Sequence, residues 1–253
     1  LAAVNGLDLV PGPWIESIQI AKGAGSVING FEAMAGQINV QYRAPLDEEF
    51  LFLNGYVNEM GRIEGNGAIA LDLGPRVSTN VQVHGASLSS LNDRNEDGFL
   101  DTPTKENLAL MNRWKYQSLR GLEGEFNLSF MERNSEGGQV DFFLPDAPPA
   151  NYFGYRDNSR RYQAHAKVGY VNPKSPDQSI GTQWSYTDFD QTAQFGNRVY
   201  QGRQKSFYMN IIGQTNLESD VHKMSLGFSF QRDNYTDTIR LERGAILEYD
   251  RIE

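Results

Sequence analysis

From about residue 50 onward, apolar and polar side chains alternate with a period of two, the signature of strands with one apolar and one polar face. Val77, Thr79, Val81 and Val83 alternate with Ser78, Asn80, Gln82 and His84. Leu122, Phe126, Leu128 and Phe130 share a face opposite Glu123, Glu125, Asn127 and Ser129. Tyr162, Ala164, Ala166, Val168 and Tyr170 oppose Gln163, His165 and Lys167; Met224, Leu226, Phe228 and Phe230 oppose Lys223, Ser225, Ser229 and Gln231. The pattern predicts about nine or ten strands, most of about ten residues or longer, where strands of soluble proteins usually run to about five or six.

The connections between these runs carry a second pattern. Short turns are predicted at Leu73-Gly74-Pro75 and around residues 116–119, 172–177 and 217–221. Long polar loops rich in Gly, Pro, Asn and Asp are predicted around 90–106, 133–158 and 190–202. Short turns at one end and long loops at the other are the asymmetry of a transmembrane β-barrel, although the first connection, near Gly61, is short where a long one is due. Tyr56, Trp114, Tyr116, Tyr170, Trp184 and Tyr208 fall toward strand ends, as an aromatic girdle requires; ordinary amphipathic strand aromatics are the alternative.

Composition narrows the classes. The formal charge of -9 and the scattered basic residues argue against nucleic acid as a partner. The absence of cysteine excludes disulfides, thiolate metal sites and cysteine nucleophiles. No run approaches the roughly 18 apolar residues of a membrane-spanning helix. A mean hydropathy of -0.53 is nevertheless compatible with a barrel, whose strands are half polar. The chain opens at Leu1 without a basic or apolar leader, and both ends read as truncated.

Residues 1–45 differ from the rest in being rich in small residues and nearly free of charge. Ile15, Ile18 and Ile20 suggest a strand broken by Gly23 and Gly25; Gln37–Tyr42 suggest another after Ala35-Gly36; residues 26–35 between them suggest a short helix. Lys22-Gly23, then Gly25, Gly30 and Gly36-Gln37-Ile38-Asn39 resemble, in order and spacing, the C-terminal part of the plug domain of TonB-dependent outer-membrane receptors. Asn5 to Pro13 is closest to members from Bacteroidetes-like bacteria. The resemblance implies an all-β fold: an antiparallel transmembrane β-barrel, here partial, with about nine or ten of an expected 22 strands, preceded by an α/β plug remnant. The expected division is 1–45, end of the plug, and 46–253, first part of the barrel. It further implies the bacterial outer membrane, contact with its lipid, and a TonB-ExbB-ExbD partner acting through an N-terminal part that this sequence does not contain.

Candidate chemistry is sparse. Lys22, Gly23 and Gly25 miss the spacings of nucleotide-binding loops, and the two glycines read as tight turns; with Gly30, Gly36 and the strand residue Asn39 they are expected to be structural parts of the plug motif. Asp93, Asn95, Asp97 and Asp101, with Gly98 at the turn and the Phe99 carbonyl, could wrap a calcium ion. Thr104 stands where the bidentate Glu belongs, and an acidic loop closed by its own backbone is the alternative. His84, His165 and His222 lie on separate runs without a second ligand at a recognised spacing. No nucleophile motif is present, and the paired Glu123 and Glu125 read as hydrated wall. No catalytic residue and no required cofactor are expected. The expected activity is TonB-dependent import of a small ligand, a metal chelate such as a siderophore or a metal ion first, a glycan or cobalamin next. A soluble carbohydrate-binding β-sandwich is the competing class and an outer-membrane barrel enzyme a third.

Overall fold

The computed structural model describes residues 10–23, 36–44, 49–143, 152–217, 222–241 and 246–252. A 3-10 turn at Gly12–Trp14 leads into β1 (Ile15–Lys22), which pairs antiparallel with β2 (Gly36–Tyr42). The helix expected over 26–35, with Gly25 and Gly30, lies outside the described residues. Gly36 explains why the second strand starts where it does. Its φ is +125°, and a Cβ there would stand 2.8 Å from the Ala21 carbonyl, so only glycine closes this corner without strain.

The remaining strands are β3 (Leu51–Val57), β4 (Ile63–Asp72), β5 (Val77–Leu88), β6 (Thr104–Gln117), β7 (Leu122–Gly138), β8 (Gly154–Val171), β9 (Ser179–Phe195), β10 (Arg198–Asn216), β11 (Lys223–Leu241) and β12 (Ile246–Ile252). They form one ten-stranded antiparallel sheet in sequence order, separate from the β1–β2 pair. The connections at 73–76, 118–121 and 172–178 are short and that at 89–103 is long, as predicted; the loop expected over 133–158 narrows to 139–153, because residues 133–138 and 154–158 continue the β7–β8 ladder. The loop expected over 190–202 is instead a two-residue turn, Gly196-Asn197, between strands of 17 and 19 residues. The reason is that residues 190–194 and 198–202, largely polar apart from Ala193, Val199 and Tyr200, keep full ladder pairing. Polarity there marks a solvated sheet, not a loop.

Register fixes the two faces. Trp14 packs on Ala109, Met111, Met131 and Phe189, so these define the inner face. Cross-strand partners share a face, so His84, Ala109, Met131, Arg161, Phe189, Gln204 and Tyr235 form one inner row across seven strands. The expected alternation holds in each run named above. Two girdle residues do not: Tyr56 pairs with Glu64 and Tyr208 pairs with Ser185, both on the inner face, whereas Trp114, Tyr116, Tyr170 and Trp184 face outward.

The outer face has two zones. A band toward the short-turn end carries Leu128, Phe130, Tyr162, Trp184, Tyr186, Leu226, Phe228 and Phe230, all of them well exposed or half exposed large apolar side chains. Toward the long-loop end the same face of β7 to β10 turns to charges in ion pairs: Glu132 with Arg160 at 2.9 Å, Glu136 with Arg156 at 3.3 Å, Asp188 with Arg203 at 2.7 Å. Within the apolar band the one outward amide of β6, Asn112, is internally satisfied. It donates to Thr79 Oγ1 at 3.1 Å and the Asn80 carbonyl at 2.9 Å, and accepts from Trp114 Nε1 at 2.6 Å. No helix among the described residues is long and apolar enough to cross a membrane, which does not bear on strands.

Candidate functional site on the inner wall

Among the described residues the β1–β2 hairpin is tied to the wall in a knot around Trp14. Trp14 is 2% exposed, its indole filling the space that Ala109 leaves between the longer Met111 and Met131. Arg43 donates its backbone N–H to the Trp14 carbonyl at 3.1 Å, and Tyr42 packs on the same cluster. Arg113 of β6 lies 5.9 Å over the Tyr42 ring, donates to the Arg43 carbonyl, and stands 4.0 Å from Glu125. Burial pushes the Tyr42 phenol above its ordinary pKa, with Arg161 and Arg113 opposing that push. Beside the knot a cavity of about 90 Å³ separates Pro11 and Gly12 from Glu64, His84 and Ala109. His84 Nδ1 is 2.7 Å from Asn66 Oδ1, the geometry of a satisfied wall histidine.

Above the knot the inner wall carries buried hydrogen-bond networks. Asp157 accepts from Arg133 Nη2 at 3.0 Å, from Gln191 Nε2 at 2.7 Å and from Ser159, four inward residues from three strands. Both partners of the Arg133–Asp157 ion pair are 7% exposed. Asp233 accepts from Ser206 and from Gln231 Nε2 at 2.7 Å; Gln204 donates to Tyr235 Oη at 3.1 Å; Tyr200 donates to Asp237 at 2.7 Å. At the rim, the long β5–β6 and β7–β8 loops are joined: Phe99 bridges Gln139, Leu100 N–H donates to the Gly138 carbonyl at 2.9 Å and Val140 N–H to the Gly98 carbonyl at 2.9 Å. Sequence reading missed these networks because membership depends on register across strands far apart in the chain.

Of the residues singled out from the sequence, Lys22, Gly23, Gly36 and Asn39 lie together on the hairpin. Lys22 pairs with Gly36, and Asn39 donates to Gln19 Oε1 at 3.3 Å. The 93–101 loop is closed by its own backbone. Asp93 accepts the N–H of Gly98 at 2.9 Å and of Asp97 at 3.2 Å; Asp97 accepts that of Phe99 at 2.9 Å; Asp101 accepts that of Arg94 at 2.9 Å. Asn95 donates its side-chain amide to Asp97 at 3.0 Å. Among the described residues no three His, Cys, Asp or Glu side chains converge in a metal-holding group.

No family model and no curated protein sequence matches the chain. Solved structures do. The siderophore receptor PiuA from Acinetobacter baumannii superposes with a TM-score of 0.71 at 10% identity, over 92% of this chain and 37% of its own. FpvA of P. aeruginosa, solved with heterologous pyoverdines, gives 0.70 at 11% over 95% and 34%. The ferric-catecholate import receptor Fiu of E. coli K12 gives 0.67 at 12% over 89% and 40%. The chain thus has the fold of TonB-dependent siderophore receptors over the part it spans, little more than a third of their length, with its sheet not closed. These neighbours are outer-membrane transport receptors rather than enzymes.

Proposed function

We propose that this chain is the end of the plug, residues 1–45, and the first ten strands of the barrel, within 46–253, of a TonB-dependent outer-membrane transporter that imports a small ligand. The observation that carries the reading is the hairpin of β1 and β2 seated by Trp14 on the inner face of a meander whose outer face is apolar. A soluble sandwich buries its apolar face against a second sheet; here that face is exposed and the polar face holds the hairpin. Ile18, Ile20 and Ile38 of the hairpin are exposed as well, a surface that the remainder of a plug would cover.

The work is mechanical, without bond chemistry. An external ligand engages the wall above the knot and the joined rim loops, and the TonB-ExbB-ExbD complex pulls through the N-terminal part of the plug to open a path along the wall. A metal chelate of the siderophore class is the first ligand proposed, in line with what the structural neighbours are named for. Calcium at Asp93–Asp101 belongs to the proposal as an accessory ion: its carboxylates would exchange backbone N–H donors for the cation, so calorimetric titration of the full-length protein should show uptake that Asp93→Asn with Asp97→Asn removes.

The deciding experiment uses the full-length parent protein. Fractionation should place it in the outer membrane as a heat-modifiable barrel, and uptake of ferric chelates should stop when TonB is deleted. A soluble product would overturn the barrel; a membrane protein whose uptake ignores TonB would overturn the transport mechanism alone.

A further inference from the structure

At the long-loop end, the four connections between β3 and β10 are tied to one another in sequence order, an arrangement the transport reading does not use. The β3–β4 turn comes first. Its Met60 carbonyl accepts the Asn92 side-chain amide at 3.2 Å, and Gly61, at φ +83°, lies so close to Ser90 that a Cβ would stand 2.5 Å from its Oγ. The Asn92 carbonyl in turn accepts the N–H of Asp101 at 2.8 Å, which brings the far end of the β5–β6 loop back to its start. Next to Asp101, the reciprocal bonds from Leu100 N–H to Gly138 and from Val140 N–H to Gly98 make one rung of antiparallel ladder with the β7–β8 loop.

That loop is pinned at both of its described ends. Gln139 donates its backbone N–H to the Phe153 carbonyl at 2.8 Å, and its side-chain carbonyl accepts the Phe153 N–H at 2.6 Å. Gly138 permits this approach: its φ is +121°, and a Cβ would stand 2.5 Å from the Phe153 carbonyl oxygen. Buried Phe142 lies against Gly154, with the Arg156 guanidinium 4.9 Å over its ring. The Gly154 carbonyl then accepts the N–H of Gly196, in the β9–β10 turn, at 2.8 Å. A lone hydrogen bond on a surface loop frays. Here each connection is held by the next, so releasing one means breaking the bonds of its neighbour.

We infer that these four connections form a continuous belt, joined before any ligand arrives and still joined while one passes, the second half of this resting on the transport reading. The belt is a fixed rim and not a lid. A ligand that meets it loses no affinity to ordering it, and the motion that admits the ligand falls to other parts of the protein.

Two experiments on the full-length protein test this. Without ligand, the amide hydrogens of Leu100 and Val140 should exchange on the order of a hundredfold more slowly than in the unfolded chain. Phe99 and Gln139 oppose each other as a non-hydrogen-bonded antiparallel pair, whose Cα atoms stand about 4.5 Å apart, within the roughly 4.4–6.8 Å that a disulfide spans. Phe99→Cys with Gln139→Cys should therefore cross-link in the outer membrane on mild oxidation, with no loss of ferric-chelate uptake between the reduced and oxidised states of that same variant. Failure to cross-link, or fast exchange that slows only when a ferric chelate is added, overturns the preformed belt. Uptake lost on oxidation and restored by reductant overturns its staying joined. If the unsubstituted protein imports no ferric chelate through TonB, the transport reading falls, and exchange and cross-linking still decide the belt.

Discussion

Asp157 and Arg133 show how much one buried pair can matter. Each is nearly excluded from solvent, and removing Asp157 takes away the carboxylate that meets Arg133 at 3.0 Å. Asp157→Ala in the full-length protein should cost about 3–5 kcal/mol in urea unfolding, while replacing both by apolar residues of similar size should restore most of that loss. Gly36→Ala should strain the hairpin corner by about 1–3 kcal/mol, because the new Cβ meets the Ala21 carbonyl at a positive φ; faster proteolysis of the segment between β1 and β2 would register it. Tyr42 makes the knot sensitive to alkali. Its folded pKa lies above the ordinary value, so its contribution to docking is complete below about pH 10 and is lost as pH rises through the raised folded value. Tyr42→Phe should abolish the corresponding late step in tyrosinate absorbance. At this scale the sequence was a partial guide: Gly36 stood out by its motif, whereas nothing in the sequence singled out Trp14, whose socket is made by Ala109 and Met131 brought together from distant positions.

Alternation reported the strands well, since a period of two needs no partner to be recognised. What it could not report was where a strand leaves the apolar zone, because a largely polar run looks like a loop. Residues 190–202 are the case in point, and Tyr56 and Tyr208 were misassigned because facing follows from parity within the strand and not from nearness to its end. The two faces nonetheless differ in what they tolerate. Leu128→Arg, in the outer band, should destabilise the barrel by about 2–4 kcal/mol, whereas Gln163→Arg, on the inner side of the neighbouring strand, should change it little. The heat-modifiable fraction after reconstitution into vesicles measures both; a larger loss from Gln163→Arg would mean that the faces have been exchanged.

For the molecule as a whole, the long strands set its height. At a tilt of about 45°, the 19 residues of β10 rise roughly 45 Å, well beyond an apolar band about 25 Å tall. The paired charges of β7 to β10 lie on that surplus. Every strand of the sheet pairs with its neighbours in sequence, so nine successive junctions can form by local encounter, each adding a hairpin to an advancing edge. β3 and β12 are the two edges: the seven residues of β3 pair with β4, the seven of β12 with β11, and no strand among those described lies beyond either. If β3 is the first strand of the proposed barrel, its vacant side waits for that barrel's last strand, the one junction whose loop spans the whole domain. In the barrel proposed above, closure at β3 would be the step at which synthesis, insertion and final register meet, and a seven-residue strand with few ladder bonds would be a seam held open until its partner arrives.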